Sequence, residues 1–211
     1  SISSSPKAHP GEVRLTVGEV RYDLTGRACK GVASTYLGER LAEGGMVGVY
    51  VQKSAHFHPP ADDDRPLIMI GPGTGIAPFR AFLEERQARG AAGKNWLFFG
   101  DQHEACDYLY RDQIGAWEES GVLDKLSLAW SRDGSEKVYV QTLLEREADE
   151  IFAWLKAGAA IYICGDASRM AVDVEAALLR IIAKGLDSDN AAAQAYLDQM
   201  ASDHRYQRDV Y

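Results

Sequence analysis

Three glycines crowd into GPGTGIAPFR, residues 71–80, between a short apolar run and a helical pattern. Glycine lets backbone approach a ligand closely, and a helix N-terminus turns free N–H groups toward an anion. Gly73 and Thr74 sit at the centre of that turn, and Pro78 suits the first turn of the helix. The spacing is not the strict G-x-G-x-x-G fingerprint, so a plain tight turn is the competing reading.

A second cluster is Ser131, Arg132, Lys137, Val138, Tyr139, Val140 and Gln141. Arginine grips a phosphate bidentately, lysine supplies a point charge, and tyrosine stacks on a base. Ordinary charges on a solvated loop are the alternative. Cys164, ahead of Gly165 and Asp166, closes another apolar run. A thiol there either faces a ligand crevice or is a buried, inert cysteine. Asp173 falls in the next helical stretch and is solvated by default.

Gly31, Val32, Ala33 and Ser34 form a small-residue turn ahead of a short helix. It suits a pyrophosphate, or simply an N-cap. The final residue, Tyr211, either stacks on a planar ligand or frays. His56 and His58, near Asp62, Asp63 and Asp64, invite a metal reading. That stretch is a Pro-rich linker with no scaffolded third ligand, so no metal is expected.

The elements that must position these residues follow from periodicity. Residues 13–22 and 46–52 read as strands, with a short helix over 35–44 between them. Such a block is too small to core itself and should lean on something else. Residues 56–65 read as a loop. Strands are then expected at 67–71, 95–100, 125–131 and 159–165. Helices are expected at 75–89, 111–120, 140–157, 167–184 and 189–202, followed by an extended tail. Short apolar strands alternating with helices imply βαβ units and a parallel sheet covered on both faces, an α/β fold. Ligands bind such sheets at the carboxyl ends of the strands.

Composition narrows the classes. The 211 residues carry 23 Lys+Arg against 31 Asp+Glu, a net charge of −8. That excludes a general nucleic-acid binder or a basic face for anionic lipid. No run approaches the ~20 apolar residues of a membrane span. No signal peptide opens the chain, nor an initiator Met. Three cysteines without C-x-x-C spacing fit a reduced, cytoplasmic setting.

Several motifs occur in a distinctive order: TVGEVRY, GVAST, GPGTGIAPFR, DYLYRD, SR followed by KVYVQ, YICGDASRMAVDV and a terminal RDVY. In this order the whole chain resembles the C-terminal part of the diflavin reductases, in the ferredoxin–NADP reductase-like superfamily. The resemblance implies a parallel-sheet NADP-binding domain over 63–211. It implies that 1–62 is the truncated end of an antiparallel β-barrel FAD-binding domain. It further implies hydride transfer from NADPH to FAD, and electrons passed onward to an FMN domain or a haem or iron–sulfur partner. A sulfite reductase haemoprotein is the partner expected.

Site roles follow from the same resemblance. Ser1 matches the serine of an R-x-Y-S flavin motif, the rest of which is not in this chain. Thr16, Val17, Gly18 and Tyr22 match a second FAD segment, and Gly31, Val32, Ala33 and Ser34 the FAD pyrophosphate loop. Tyr211 matches the aromatic covering the flavin ring, which must move aside for the nicotinamide. Ser131, Arg132, Lys137, Val138, Tyr139, Val140 and Gln141 match a 2′-phosphate and adenine site, with Asp173 a further NADP contact. Gly73 and Thr74 fall near the nicotinamide end, and Ser1, Cys164 and Asp209 match a polar trio beside it. Asp101, Gln102 and His103 stand where some relatives carry arginines, so no phosphate contact is implied there. An NADP(H)-binding module with a disabled flavin site, or an NADPH-flavin reductase feeding free flavin, are the alternatives.

Overall fold

The computed structural model describes residues 1–52, 54 and 56–211. Its centre is a five-stranded sheet built from β3 (Leu67–Ile70), β4 (Asn95–Asp101), β5 (Lys125–Trp130), β6 (Ala160–Gly165) and β7 (Tyr206–Val210). Every neighbouring pair is parallel, in the order β5-β4-β3-β6-β7. The continuous apolar runs exist because β3, β4 and β6 are covered on both faces.

Strand alternation divides the core in two. Ile68, Ile70, Trp96, Phe98, Ile161 and Ile163 face one layer of helices. That layer holds α5 (Val140–Arg146), α6 (Ala148–Lys156), α7 (Met170–Leu186) and α8 (Asn190–Ser202). Leu67, Met69, Leu97, Phe99, Tyr162 and Cys164 face the other layer. There α2 (Ile76–Arg89) presents Phe79, Phe82 and Leu83, and α4 (Arg111–Ser120) presents Ile114 and Trp117. A short α3 (Glu104–Asp107) precedes α4.

The order in which strands are added reverses at β3. The chain lays β4 and β5 on one side of it, then β6 and β7 on the other. Such a reversal opens a crevice between the carboxyl ends of the strands.

Helix ends follow local chemistry. Gly90, at φ 67°, caps α2 in the left-handed region, and its neighbourhood closes onto the carbonyls of Arg86 and Gln87. The Asp189 carboxylate accepts from the Ala192 N–H at 2.9 Å and starts α8. The helix expected over 140–157 breaks at Glu147 into α5 and α6. No Gly or Pro marks the break. It lets Leu144 and Phe152 each reach the core from a separate axis. The helix expected from 167 begins at Met170, because the Asp166 carboxylate first winds the loop, accepting from Ser168 N–H and Oγ and from Arg169 N–H.

The N-terminal block differs most from expectation. Within 13–22 only Arg21 and Tyr22 are strand, in β1 (Arg21–Leu24), which pairs antiparallel with β2 (Arg27–Lys30). The turn places Thr25 at φ 52° and Gly26 at φ 83°, the pattern of a tight hairpin. Leu15 makes only an isolated bridge to Ile2. Residues 46–52 form no strand, and among the described residues no strand pairs with them to complete a ladder. The short helix becomes α1 (Val32–Thr35) running into a π-helical turn, Tyr36–Arg40. Among the described residues before Leu67, the buried ones are Ser3, Ser4, Ser5 and Thr35, all polar. Val32 and Met46 are 91% and 95% exposed. The block leans on the rest of the fold, as expected: Ser5 N–H and His9 reach Glu84 of α2, Arg80 reaches back to the Ser3 carbonyl, and further along Phe57 packs on Phe79, Phe82 and Tyr162.

Candidate functional site

A crevice of about 470 Å³ opens over the carboxyl ends of β3, β4, β5 and β6. Gly73 contributes from the turn after β3, Asp101 from β4, Ser131 from the loop after β5, and Asp166 and Arg169 from the loop after β6. Val138, Tyr139, Val140 and Gln141 form the wall at the start of α5, and Asp173 faces them from α7. The Gln141 side-chain amide donates to Asp173 at 3.2 Å and joins the two walls.

Two glycines shape the turn after β3, Gly73 at the crevice and Gly75 buried behind it. Gly73, at φ 56°, adopts the left-handed backbone that side chains disfavour. A Cβ on Gly75 would lie 2.2 Å from the Cys164 carbonyl, so only glycine lets this turn press against β6. The cradle therefore fits a ligand that meets bare backbone, as a dinucleotide does.

The predicted second-cluster residues divide here. Ser131, Val138, Tyr139, Val140 and Gln141 line the crevice, whereas Arg132 and Lys137 stand exposed just outside it. Arg132 is anchored through its N–H to the Gln102 carbonyl at 2.9 Å. Ser131 Oγ donates to the Asp101 carbonyl at 3.2 Å. The Asp101 carboxyl is held above the usual range, first by burial, with Asp107 adding repulsion.

Arg169 is the cation that sequence reasoning passed over. Among the lining residues it is the one Lys or Arg, in a crevice that also holds the carboxylates of Asp101, Asp166 and Asp173. Asp166 is spent on the loop's own N–H and hydroxyl groups, which lower its pKa. The signal for Arg169 was present in DASRM, one residue before a helix that opens at a strand's carboxyl end.

A second, more open crevice of about 530 Å³ adjoins the first. Ser1, Thr16, Val17, Gly18, Glu19, Val20, Thr74 and Tyr211 line it. Thr74 Oγ1 and the Tyr211 hydroxyl share a hydrogen bond at 3.1 Å. Gly18 packs so close to Thr74 that a Cβ there would meet Thr74 Cγ2 at 3.3 Å. Gly73 faces the first crevice and Thr74 the second, so one turn borders both.

The remaining predicted residues lie off these walls. Tyr22 sits on the exposed hairpin. Gly31 and Ser34 pack against Val20, whose N–H donates to Ser34 Oγ at 3.1 Å, while Val32 and Ala33 are exposed. A Cβ on Gly31 would strike Ser34 Oγ and Val20 Cβ at 2.6 and 2.7 Å. Cys164 pairs in register with Asp209 across β6 and β7, and neither lines the open crevice. The Cys164 thiol is fully buried, and burial pushes its pKa up to about 12. It also feels the Asp209 charge, which raises its pKa further. No group of three His, Cys, Asp or Glu suited to a metal occurs among the described residues, His56 and His58 included. No helix among them is long and apolar enough to cross a membrane.

Comparison with known proteins accords with this geometry. Over all 211 residues the chain is 52% identical to the sulfite reductase [NADPH] flavoprotein alpha-component of Bacillus subtilis. It is 51% identical to that of Escherichia coli K12 and 49% to that of Serratia proteamaculans, again over 211 residues. The chain spans 35% of the length of each of these relatives. The resemblance read from the ordered motifs thus holds along the whole chain. The oxidoreductase NAD-binding domain family matches residues 69–176, which run from β3 into α7 and carry most of the first crevice. With its parallel sheet, its glycine turn and that match, the chain belongs to the oxidoreductase NAD-binding domain family.

Proposed function

We propose that this chain is the NADPH side of a flavin-dependent oxidoreductase. One observation carries the reading: Gly73 and Thr74, adjacent in sequence, border two adjoining crevices. One crevice has the chemistry of a phosphorylated dinucleotide site. The other has the backbone and aromatic character of a flavin site.

The 2′-phosphate belongs at the mouth beside Ser131, Arg132 and Lys137. Tyr139, 45% exposed, offers its ring to the adenine. Arg169 meets the pyrophosphate, and Gly73 and Thr74 lead the nicotinamide toward Tyr211. NADPH supplies a hydride when bound, and FAD accepts it. The protein's part is to orient the two rings and exclude water. Tyr211, tied to Thr74 by a single hydrogen bond, covers the flavin face and swings aside for the nicotinamide. Ser1, Cys164 and Asp209 form the polar trio beside the nicotinamide. Cys164 stays a neutral thiol there and is no nucleophile.

Residues 1–62 are the flavin-side part and 63–211 the NADP domain. The absence of buried apolar residues among those described before Leu67 supports that division. FMN, and a haemoprotein that reduces sulfite, are the next acceptors in this reading, in the cytoplasm. The same polar N-terminal block favours a second reading, an NADP(H)-binding module that holds no flavin.

Titration calorimetry with NADP⁺ and NAD⁺, followed by addition of FAD and NADPH, separates these. Preference for NADP⁺ and a flavin absorbance band that bleaches with NADPH support the first reading. NADP⁺ binding with no flavin uptake supports the second, and equal affinity for NAD⁺ removes the 2′-phosphate assignment.

A further inference from the structure

We propose that Tyr110 is a positioning residue: it sets the Thr16–Gly18 wall of the open crevice against Thr74 and Tyr211. This rests on the flavin reading, which makes that wall the flavin-side segment.

Tyr110 lies just before α4 at φ 59°, in the left-handed region. A bulky residue adopts that backbone at a cost, and keeps it only where surroundings over-determine it. Here they do so from two sides. The Arg80 guanidinium lies over the Tyr110 ring, 4.8 Å from its centroid. The Tyr110 hydroxyl shares a 2.6 Å hydrogen bond with Thr16 Oγ1.

Arg80 is itself immobilised. It is only 6% exposed, pairs with Glu84 at 2.9 Å, donates to Gln113 Oε1 at 2.7 Å and donates to the Ser3 carbonyl. Burial draws the Glu84 carboxyl upward. The Ser5 N–H, Gln113, His9 and the Arg80 charge outweigh that and hold it below the usual range. Glu84 thus stays ionised and keeps Arg80 in place.

Thr16 has a second tie, its N–H donating to the Ser1 carbonyl at 3.0 Å. From Thr16 the wall runs through Val17 to Gly18, which lies beside Thr74 with room for no more than a tight Cβ between them. Thr74 and Arg80 belong to one continuous piece, the turn entering α2. The wall is therefore referenced twice to the same rigid element, directly through Thr74 and indirectly through Arg80 and Tyr110. Thr74 also holds Tyr211. The spacing between the flavin-side wall and its aromatic cover is set by that element, and Tyr110 carries half of the reference. Tyr110 lines neither crevice, so it acts through Thr16 alone.

Tyr110→Phe keeps the ring and the backbone and removes one hydroxyl. The test is amide hydrogen exchange on the 211-residue chain, with NADP⁺ and FAD titrations beside it. Amides of 14–20 are expected to exchange about five- to ten-fold faster, the scale of one net hydrogen bond. Those of β3 stay protected and NADP⁺ affinity stays unchanged, while FAD affinity falls by a similar factor. Thr16→Val gives the same exchange change, and the double variant adds nothing to it. Unchanged exchange over 14–20 overturns the proposal, as does a rise spread evenly over the chain. Should the unaltered chain take up no FAD, the flavin half of the proposed function falls, and the exchange result still decides the role of Tyr110.

Discussion

Thr74 and Tyr211, 137 residues apart in sequence, meet hydroxyl to hydroxyl at 3.1 Å. The contact ties the last residue to the glycine turn that borders both crevices. It is one exposed hydrogen bond on a 61% exposed side chain, so it holds the ring weakly. Tyr211→Ala is expected to tighten NADP⁺ binding and relax the preference over NAD⁺. Calorimetry with both nucleotides checks this, and unchanged affinities would sink the gating role.

Arg132 and Arg169 should separate by ligand. Arg132→Ala is expected to weaken NADP⁺ binding by about 1.5–3 kcal/mol and leave NAD⁺ nearly unaffected, because only NADP⁺ carries the 2′-phosphate. Arg169→Ala should weaken both nucleotides by similar amounts, since the pyrophosphate is common to them. Equal effects of the two substitutions on NAD⁺ would contradict the assignment.

Glu84 gives a pH signature. Its carboxyl is held below the usual range in the folded chain, so it contributes stability that is fully present above its ordinary pKa. That contribution is lost as pH falls through the lowered value. Glu84→Gln is therefore expected to cost about 1–3 kcal/mol at neutral pH, the scale of hydrogen bonds to a buried charge. Urea unfolding across the acid range should show the variant and the parent converging in acid. A gap that persists there would show that the charge is not the cause.

Cys164 should be chemically silent. It is buried and its pKa is pushed up to about 12, so thiolate is scarce at neutral pH. Cys106 is exposed and Cys29 partly so. Alkylation of the folded chain followed by peptide mapping is expected to mark Cys106 and Cys29 and to spare Cys164 until unfolding. Rapid labelling of Cys164 would refute the buried geometry.

The sheet was legible in the sequence because LIMI, NWLFFG and the run at 159–165 are apolar without interruption, and burial on both faces demands that. The tail read correctly as extended, yet nothing local showed that it would pair with β6. The break at Glu147 was invisible for a similar reason: tertiary packing makes it, with no Gly or Pro to mark it. The strand expected over 46–52 had the right residue types, but a strand exists only beside another strand. Within the site, small-residue turns and the residues after β5 carried clear local signals. Arg169 and Tyr110 did not, because their importance comes from what faces them across the fold.

The central place of β3 has a consequence for synthesis. Its second neighbour, β6, comes late in the chain, after three intervening helical crossings. While a ribosome is still making α5 and α6, one edge of an entirely apolar strand stands unpaired. Parallel sheets with distant partners close slowly, and open apolar edges invite aggregation. A nascent chain stalled before β6 should therefore be a chaperone client, and a gene fragment ending there should yield inclusion bodies in place of a smaller domain.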